Sequence, residues 1–216
     1  MLKLNRFTPC QNGRSWIEPL DLELGPGQWL MIQGRNGSGR STVAQALAGH
    51  LDHLGEFIFD GTLLPRMNAQ QRYACGVTYV PEHRDVFADL NPVEHLHVGL
   101  GLDVGWHSAA ANHCVQEVLE RLPTLQKRHS LAAKHLSGGE QQILSVATAL
   151  VSQPRCVILD EPFEGLASPA RTELLNWLLD LKGQGMQTIW FEQSAPAEVL
   201  PHVNHLLFLN QGIWSK

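Results

Sequence analysis

Apolar residues along this chain fall into short runs of strand length, separated by stretches with helical spacing. Trp29-Leu-Met-Ile-Gln33 is an apolar strand running into glycines, and Leu20 to Leu24 alternates loosely before the turn Gly25-Pro26-Gly27. Beyond Gly39, apolar positions at Val43, Ala44, Leu47 and Ala48 mark one face of a helix over 41–50. Glu56 to Asp60 and Gly76 to Pro81 predict two further strands, one followed by Gly61 and the other closed by proline. The texture then changes. Between Asn91 and Lys134, Ala, His and Leu are frequent, and Cys114, Val115, Val118, Leu119 and Leu122 keep helical spacing. The block from about 88 to 135 therefore predicts an inserted helical subdomain. A helix over 139–151, a strand at Cys156 to Leu159, a helix over 170–182 and a strand at Thr188 to Glu192 restore the alternation. Recurring strands and helices of this kind predict an α/β sheet covered by helices, and 216 residues suit one domain over 1–216.

Composition narrows the class. With 44% hydrophobic and 17% charged residues the chain reads as compact and ordered. Its net charge of -5, from 16 basic and 21 acidic residues, argues against clamping a nucleic-acid backbone as its main task, so no nucleic acid partner is expected. Runs such as Leu206 to Leu209 are far shorter than a bilayer span, and the start Met1-Leu-Lys-Leu-Asn-Arg-Phe7 lacks the long apolar segment of a secretory signal. A cytoplasmic protein that meets a membrane only by docking on another protein is expected. Cys10, Cys75, Cys114 and Cys156 form no C-x-x-C pair and read as small core residues. Among the 11 histidines, none forms H-E-x-x-H or a Cys/His ligand set.

Gly34-Arg35-Asn36-Gly37-Ser38-Gly39-Arg40-Ser41-Thr42 lies between a buried-type strand and a helix. Glycines there let the backbone curl so that successive N–H groups face inward, toward the positive end of the helix, and phosphates fit that concavity. Gly34, Asn36, Gly37, Ser38, Gly39, Arg40, Ser41 and Thr42 are thus candidate phosphate-binding residues, with the Ser41 hydroxyl placed to ligate Mg2+. Arg40 departs from the pattern, which asks for lysine. It keeps the charge but replaces a compact ammonium with a wide planar fork, so placement of a γ-phosphate suffers more than binding. Taken alone, the segment also reads as a glycine-rich turn before an ordinary helix. Further along, Cys156-Val-Ile-Leu-Asp160-Glu161-Pro162 delivers two acids at the C-terminal end of an apolar strand, the edge where open α/β sheets bind ligands. Asp160 suits Mg2+ directly or through its waters, and Glu161, on the other side of the strand axis, suits polarising an attacking water.

Leu136-Ser137-Gly138-Gly139-Glu140-Gln141-Gln142, placed before a helix and upstream of the acidic strand, resembles the LSGGQ-type signature of ATP-binding cassette (ABC) proteins. The resemblance implies a P-loop NTPase fold of the ABC ATPase type, a RecA-like core with an antiparallel β part and an inserted helical subdomain. It also implies ATP and Mg2+ as cofactors, and a second cassette, identical or different, closing head to tail so that Ser137, Gly138 and Gly139 face the partner's nucleotide. Tyr79-Val-Pro-Glu-His-Arg-Asp-Val-Phe87, Leu90-Asn-Pro-Val-Glu-His-Leu96, Asp160-Glu-Pro-Phe-Glu-Gly-Leu-Ala-Ser-Pro169 and Gly185-Met-Gln-Thr-Ile-Trp-Phe-Glu-Gln193 resemble ATPase subunits of branched-chain amino-acid transporters of the LivF type and their urea and amide relatives.

On that likeness Glu82 falls at the Q-loop position, where it senses γ-phosphate and Mg2+. Gln193 takes the switch-histidine position with an amide that carries no titratable proton. Glu164 to Ala167 occupies the D-loop. The region of Arg84, Asp85, Val86 and Phe87 resembles the groove that receives a coupling helix from integral membrane permease subunits, which implies a peripheral place on the cytoplasmic face of the membrane. Gln11 lies where the adenine-facing aromatic is expected, with Phe7 and Trp16 beside it, and Trp106 in the insert suits a partner contact or packing. An importer ATPase is the leading expectation. The alternatives are an exporter subunit, a degenerate subunit that completes a partner's site, and a cytoplasmic regulatory cassette.

Overall fold

The computed structural model describes residues 1–64, 68–101 and 108–216. Trp106, and with it the expected partner contact in the insert, lies outside the described residues. The chain divides into two compact units, residues 1–79, 155–161 and 182–216, and residues 80–154 and 162–181.

In the first unit an antiparallel sheet runs in the order β2 (Leu20–Leu24), β1 (Leu2–Cys10), β4 (Asp52–Phe59), β5 (Thr62–Leu63). β1 is bulged against both neighbours near Arg6, which takes a left-handed backbone with φ 47°. Opposite the bulge, a side chain on Gly55 would meet the Arg6 carbonyl at 2.2 Å, so only glycine lets the strands approach there. A second sheet has the order β10 (Ile213–Ser215), β9 (His205–Asn210), β3 (Trp29–Gln33), β8 (Gln187–Glu192), β7 (Cys156–Asp160), β6 (Val77–Val80). β9, β3, β8 and β7 pair in parallel. The central strands are apolar runs because parallel strands are covered on both faces: every residue of β7 and β8 is buried, as are Trp29 to Ile32.

Helix α1 (Arg40–Ala48) packs Val43, Ala44 and Leu47 into a core with Leu30, Ile32, Ile158, Ile189 and Phe191, joined by Leu4, Phe57 and Phe59 from the antiparallel sheet. It ends at Ala48, the last position of its apolar stripe and two residues short of the expected 41–50, because Gly49 at φ 83° turns back and donates to the Ala46 and Gln45 carbonyls. The carbonyls of that last turn also receive a buried cation. Arg72, on the short helix α2 (Ala69–Ala74), is 1% exposed, donates from Nη1 to Ala46 O at 2.7 Å and to Leu47 O, and lies 4.9 Å from the Phe57 ring centre. Burial pushes its guanidinium down to about 10.

The second unit is helical: α3 (Pro92–Leu100), α4 (Ala109–Arg121), α5 (Pro123–Gln126), α6 (Gly138–Leu150) and α7 (Ser168–Gly183), whose last two residues belong to the first unit. Local chemistry sets the helix starts. Asn91 and Glu94 form a reciprocal capping box with Pro92 at the first helical position, and Ser108 caps α4 through the Ala111 amide. α3 and α6 approach closely at Gly99, where a Cβ would lie 2.1 Å from the Thr148 carbonyl. The block expected at about 88–135 falls within this larger unit. Among the described residues, no helix is long and apolar enough to cross a membrane.

Candidate functional site

At the end of β3 the chain turns sharply, with the Gly34 amide donating to the Glu192 carbonyl at 3.2 Å. A Cβ on Gly34 would meet Leu209 O at 2.4 Å and Ser38 Oγ at 2.5 Å, so the loop has no room for any other residue there. Gly37 (φ 78°) and Gly39 (φ 104°) take left-handed conformations that curl residues 34–39 over the start of α1. α1 begins with no side-chain cap and no acidic residue in its first turn, so its N-terminal N–H groups are left for a ligand. Ser38 and Arg40 are 5% and 6% exposed, and Ser38 Oγ and Arg40 Nη1 have no hydrogen-bond acceptor or donor partner. Buried polar groups of this kind cost stability unless something binds them. An anion with several oxygens fits that need. Ser41 and Thr42 are half-buried beside them, while Asn36 and Gly37 are exposed.

β7 brings the carboxylates to the same edge, separated from β3 by β8. Asp160 is 1% exposed, and Glu161 is held at φ 48° with its amide donating to Phe191 O at 3.0 Å. Arg40 Nη2 donates to Glu161 Oε1 at 2.7 Å, with the two side chains 7% and 17% exposed, and lies 3.5 Å from Asn36 Oδ1. The structure therefore gives Arg40 a carboxylate partner that its place in the loop did not announce. Gln193, just past β8, is exposed. Glu192 beside it is buried and accepts from Trp190 Nε1 at 2.9 Å. Cys156 is fully buried, and desolvation pushes its thiol up to about 12, which leaves it chemically inert.

Of the aromatics near the loop, Phe7 is 1% exposed and packs on Phe57 and His53, so it is a core residue. Trp16 is 55% exposed, and its neighbour Ile17 packs so tightly on the loop that a Cβ on Gly39 would lie 2.8 Å from Ile17 Cδ1.

In the second unit Ser137 caps α6. Its Oγ accepts from the Glu140 amide at 3.3 Å, and Glu140 Oε2 accepts from the Ser137 amide at 2.7 Å. The pattern Ser-x-x-Glu was a readable signal for this box. Gly139 is required by packing, since a Cβ there would lie 2.7 Å from the Gly165 carbonyl, and a Cβ on Gly138 would lie 2.4 Å from Arg84 Nη1. Sequence reasoning missed this approach of Arg84 to the signature turn. Glu82 and Glu164 are exposed. His95 orders the segment ahead of α3, with the Phe87 amide donating to its Nε2 at 2.9 Å and its Nδ1 2.9 Å from the Asn91 carbonyl.

Desolvation raises the Glu140 carboxyl, but hydrogen bonds from Ser137 and Arg128 outweigh it and hold the group below its ordinary 4.5. A depressed carboxyl contributes stability that is present above about 4.5 and lost as pH falls through the lower folded value. Glu140→Gln should therefore remove a few tenths of a kcal/mol at neutral pH, the Arg128 partner being exposed, and flatten that part of the acid limb. Urea titrations at pH 7 and pH 3.5 check it: an unchanged difference between the two pH values would refute the box's contribution.

The glycine loop, the helix it opens and the strand-end acids define a phosphate-binding α/β cassette. The ABC transporter family model matches residues 17–164. The sulfate/thiosulfate import ATP-binding protein CysA of Xanthomonas campestris pv. campestris is 31% identical over 201 residues, covering 91% of this chain and 57% of the relative. The high-affinity branched-chain amino acid transport ATP-binding protein BraG of Pseudomonas aeruginosa is 31% identical over 198 residues, covering 90% of this chain and 83% of the relative. A solved ATP-binding cassette, dimeric and bound to ADP and phosphate in a post-hydrolysis state, shares the fold with a TM-score of 0.83 at 19% identity, covering 100% of this chain and 98% of that one. The chain belongs to the ABC transporter family.

Proposed function

We propose that the protein is the ATP-binding and ATP-hydrolysing subunit of an ABC transporter, working as half of a cassette dimer against separate membrane subunits. The observation that carries this is the uncapped start of α1 behind a glycine loop, with the Ser38 hydroxyl and Arg40 Nη1 buried and unpartnered beside it. These are the groups a polyphosphate would satisfy. The loop from Gly34 to Thr42 cradles the phosphates through backbone N–H groups and Arg40. Ser41 and Asp160 would hold Mg2+, directly or through water, and the ion would neutralise phosphate charge when bound. Glu161 takes a proton from the attacking water as the bond between the γ-phosphorus and the leaving ADP oxygen breaks. Gln193 steadies the γ-phosphate with an amide hydrogen bond. Ser137, Gly138 and Gly139 present the start of α6 to nucleotide held by the second cassette, and the dimeric relative with ADP and phosphate supports that arrangement. Residues 88–135 serve as the inserted helical subdomain, with Arg84 to Phe87 facing the membrane partner.

A place among branched-chain amino-acid import ATPases is supported by the Tyr79 to Leu96 and Asp160 to Pro169 segments and by the relative from Pseudomonas aeruginosa. Trp16 is assigned to adenine stacking in preference to Phe7, since its ring is exposed and the adjoining Ile17 packs on the loop. The test is titration with ATP and Mg2+, phosphate-release measurement, and identification of proteins that co-purify from native membranes. Trp16→Ala should weaken ATP binding about 5- to 20-fold, the range for losing one stacked base. A well-folded complex with its membrane partner that neither bound nor hydrolysed ATP would overturn the reading.

A further inference from the structure

Arg40 and Glu161 are 121 positions apart, yet each is fixed where the other can reach it. Arg40 is the first residue of α1, and Glu161 is pinned by its left-handed backbone and its amide bond to Phe191 O. Their 2.7 Å contact is mostly sequestered from water, and the second terminal guanidinium nitrogen, Nη1, is buried with nothing to donate to. Arg40 is thus folded into the loop's own hollow, with Nη2 committed to Glu161 and Nη1 left without an acceptor. A carboxylate and a phosphate offer a guanidinium the same kind of paired anionic oxygens.

We propose that Glu161 acts as an internal stand-in for nucleotide phosphate, so that the cassette rests self-locked, with its general base tied to Arg40 until a polyphosphate takes the guanidinium away. Binding and release of the base are then one exchange, and part of the binding energy goes into breaking the pair. The lysine expected at position 40 would bring one compact, strongly hydrated ammonium, whereas the guanidinium holds Glu161 through Nη2 and still has Nη1 to offer an incoming anion. The inference rests on the nucleotide-site reading of the preceding subsection.

The probe is ADP in EDTA, which removes metal ligation by Asp160, hydrolysis, and dimer closure on a γ-phosphate from the measurement. Calorimetric titration of Glu161→Gln should show ADP bound about tenfold more tightly than by the unaltered protein, equivalent to about 1.4 kcal/mol. Losing a negative charge near phosphate would also tighten binding through space, so two further variants separate the effects. Glu161→Asp keeps the charge but shortens the reach, and should still tighten ADP several-fold. In an Arg40→Met background, Glu161→Gln should change ADP affinity by less than about twofold, since the partner it released is gone. Unchanged affinity in both Glu161→Gln and Glu161→Asp, or the full gain persisting with Arg40→Met, would overturn the lock while leaving nucleotide binding intact. Absence of ADP binding in every form at millimolar concentration would overturn the nucleotide site and the lock together.

Discussion

Glu161→Gln is expected to lower phosphate release by about 10²- to 10³-fold, the usual loss when a positioned general base is removed, while nucleotide remains bound. The amide preserves the shape of the side chain but lacks the charge that holds Arg40, and it cannot accept the proton of the attacking water. Asp160 and the loop are untouched, so ATP and Mg2+ should still saturate the protein. Single-turnover measurement of phosphate release, alongside filter-binding of ATP, separates the two effects. If more than about a tenth of the turnover survived, Glu161 would not be the base. The same substitution is read by affinity for ADP without metal in the lock experiment. The two results are independent because one follows a proton transfer and the other a contact made before any chemistry.

The largest effect on stability is expected at Arg72. Arg72→Met removes the donor to the Ala46 and Leu47 carbonyls at the end of α1 and leaves those acceptors buried. The Ala46 carbonyl keeps the Gly49 amide, so the Leu47 carbonyl is the acceptor left unpaired; that costs about 1–3 kcal/mol, and with the buried charge removed as a partial offset a net loss of about 1–3 kcal/mol follows. For a chain of this size that is a fall in Tm of roughly 2–12 °C. Arg72→Lys should recover only part of it, since one ammonium cannot reproduce the guanidinium's spread of donors. Urea unfolding followed by circular dichroism measures both. A methionine variant within about 0.5 kcal/mol of the parent would show that water replaces the guanidinium at no cost.

Much of the frame was readable because its central strands are buried on both faces and so appear as unbroken apolar runs: Trp29 to Ile32, Cys156 to Leu159 and Thr188 to Glu192. The glycine loop and the strand-end acids were readable for a chemical reason, since residue type and spacing are what phosphate binding demands. β4 was shortened to Glu56 to Asp60 because its first half, Asp52 to Gly55, is polar and partly exposed where it pairs beside the bulge. β1 went unread as a strand for the same reason, its alternation being interrupted at Asn5 and Arg6. Around Arg72 stand Gln70, Gln71 and Tyr73, and nothing local says that carbonyls 25 and 26 positions earlier will enclose it. The pairing of Arg40 with Glu161 was equally hidden. The motif names both residues, but their contact depends on the strand order that sets β8 between their two strands.

The fit of Gly139 against the Gly165 carbonyl meshes the first turn of α6 with the loop after the acidic strand, like adjoining teeth. Neither side has slack: one position lacks room for a methyl group, and the other sits at φ 69°, where side chains are strained. A shift of residues 163–167 toward α6 would therefore press on the turn that holds the signature serine.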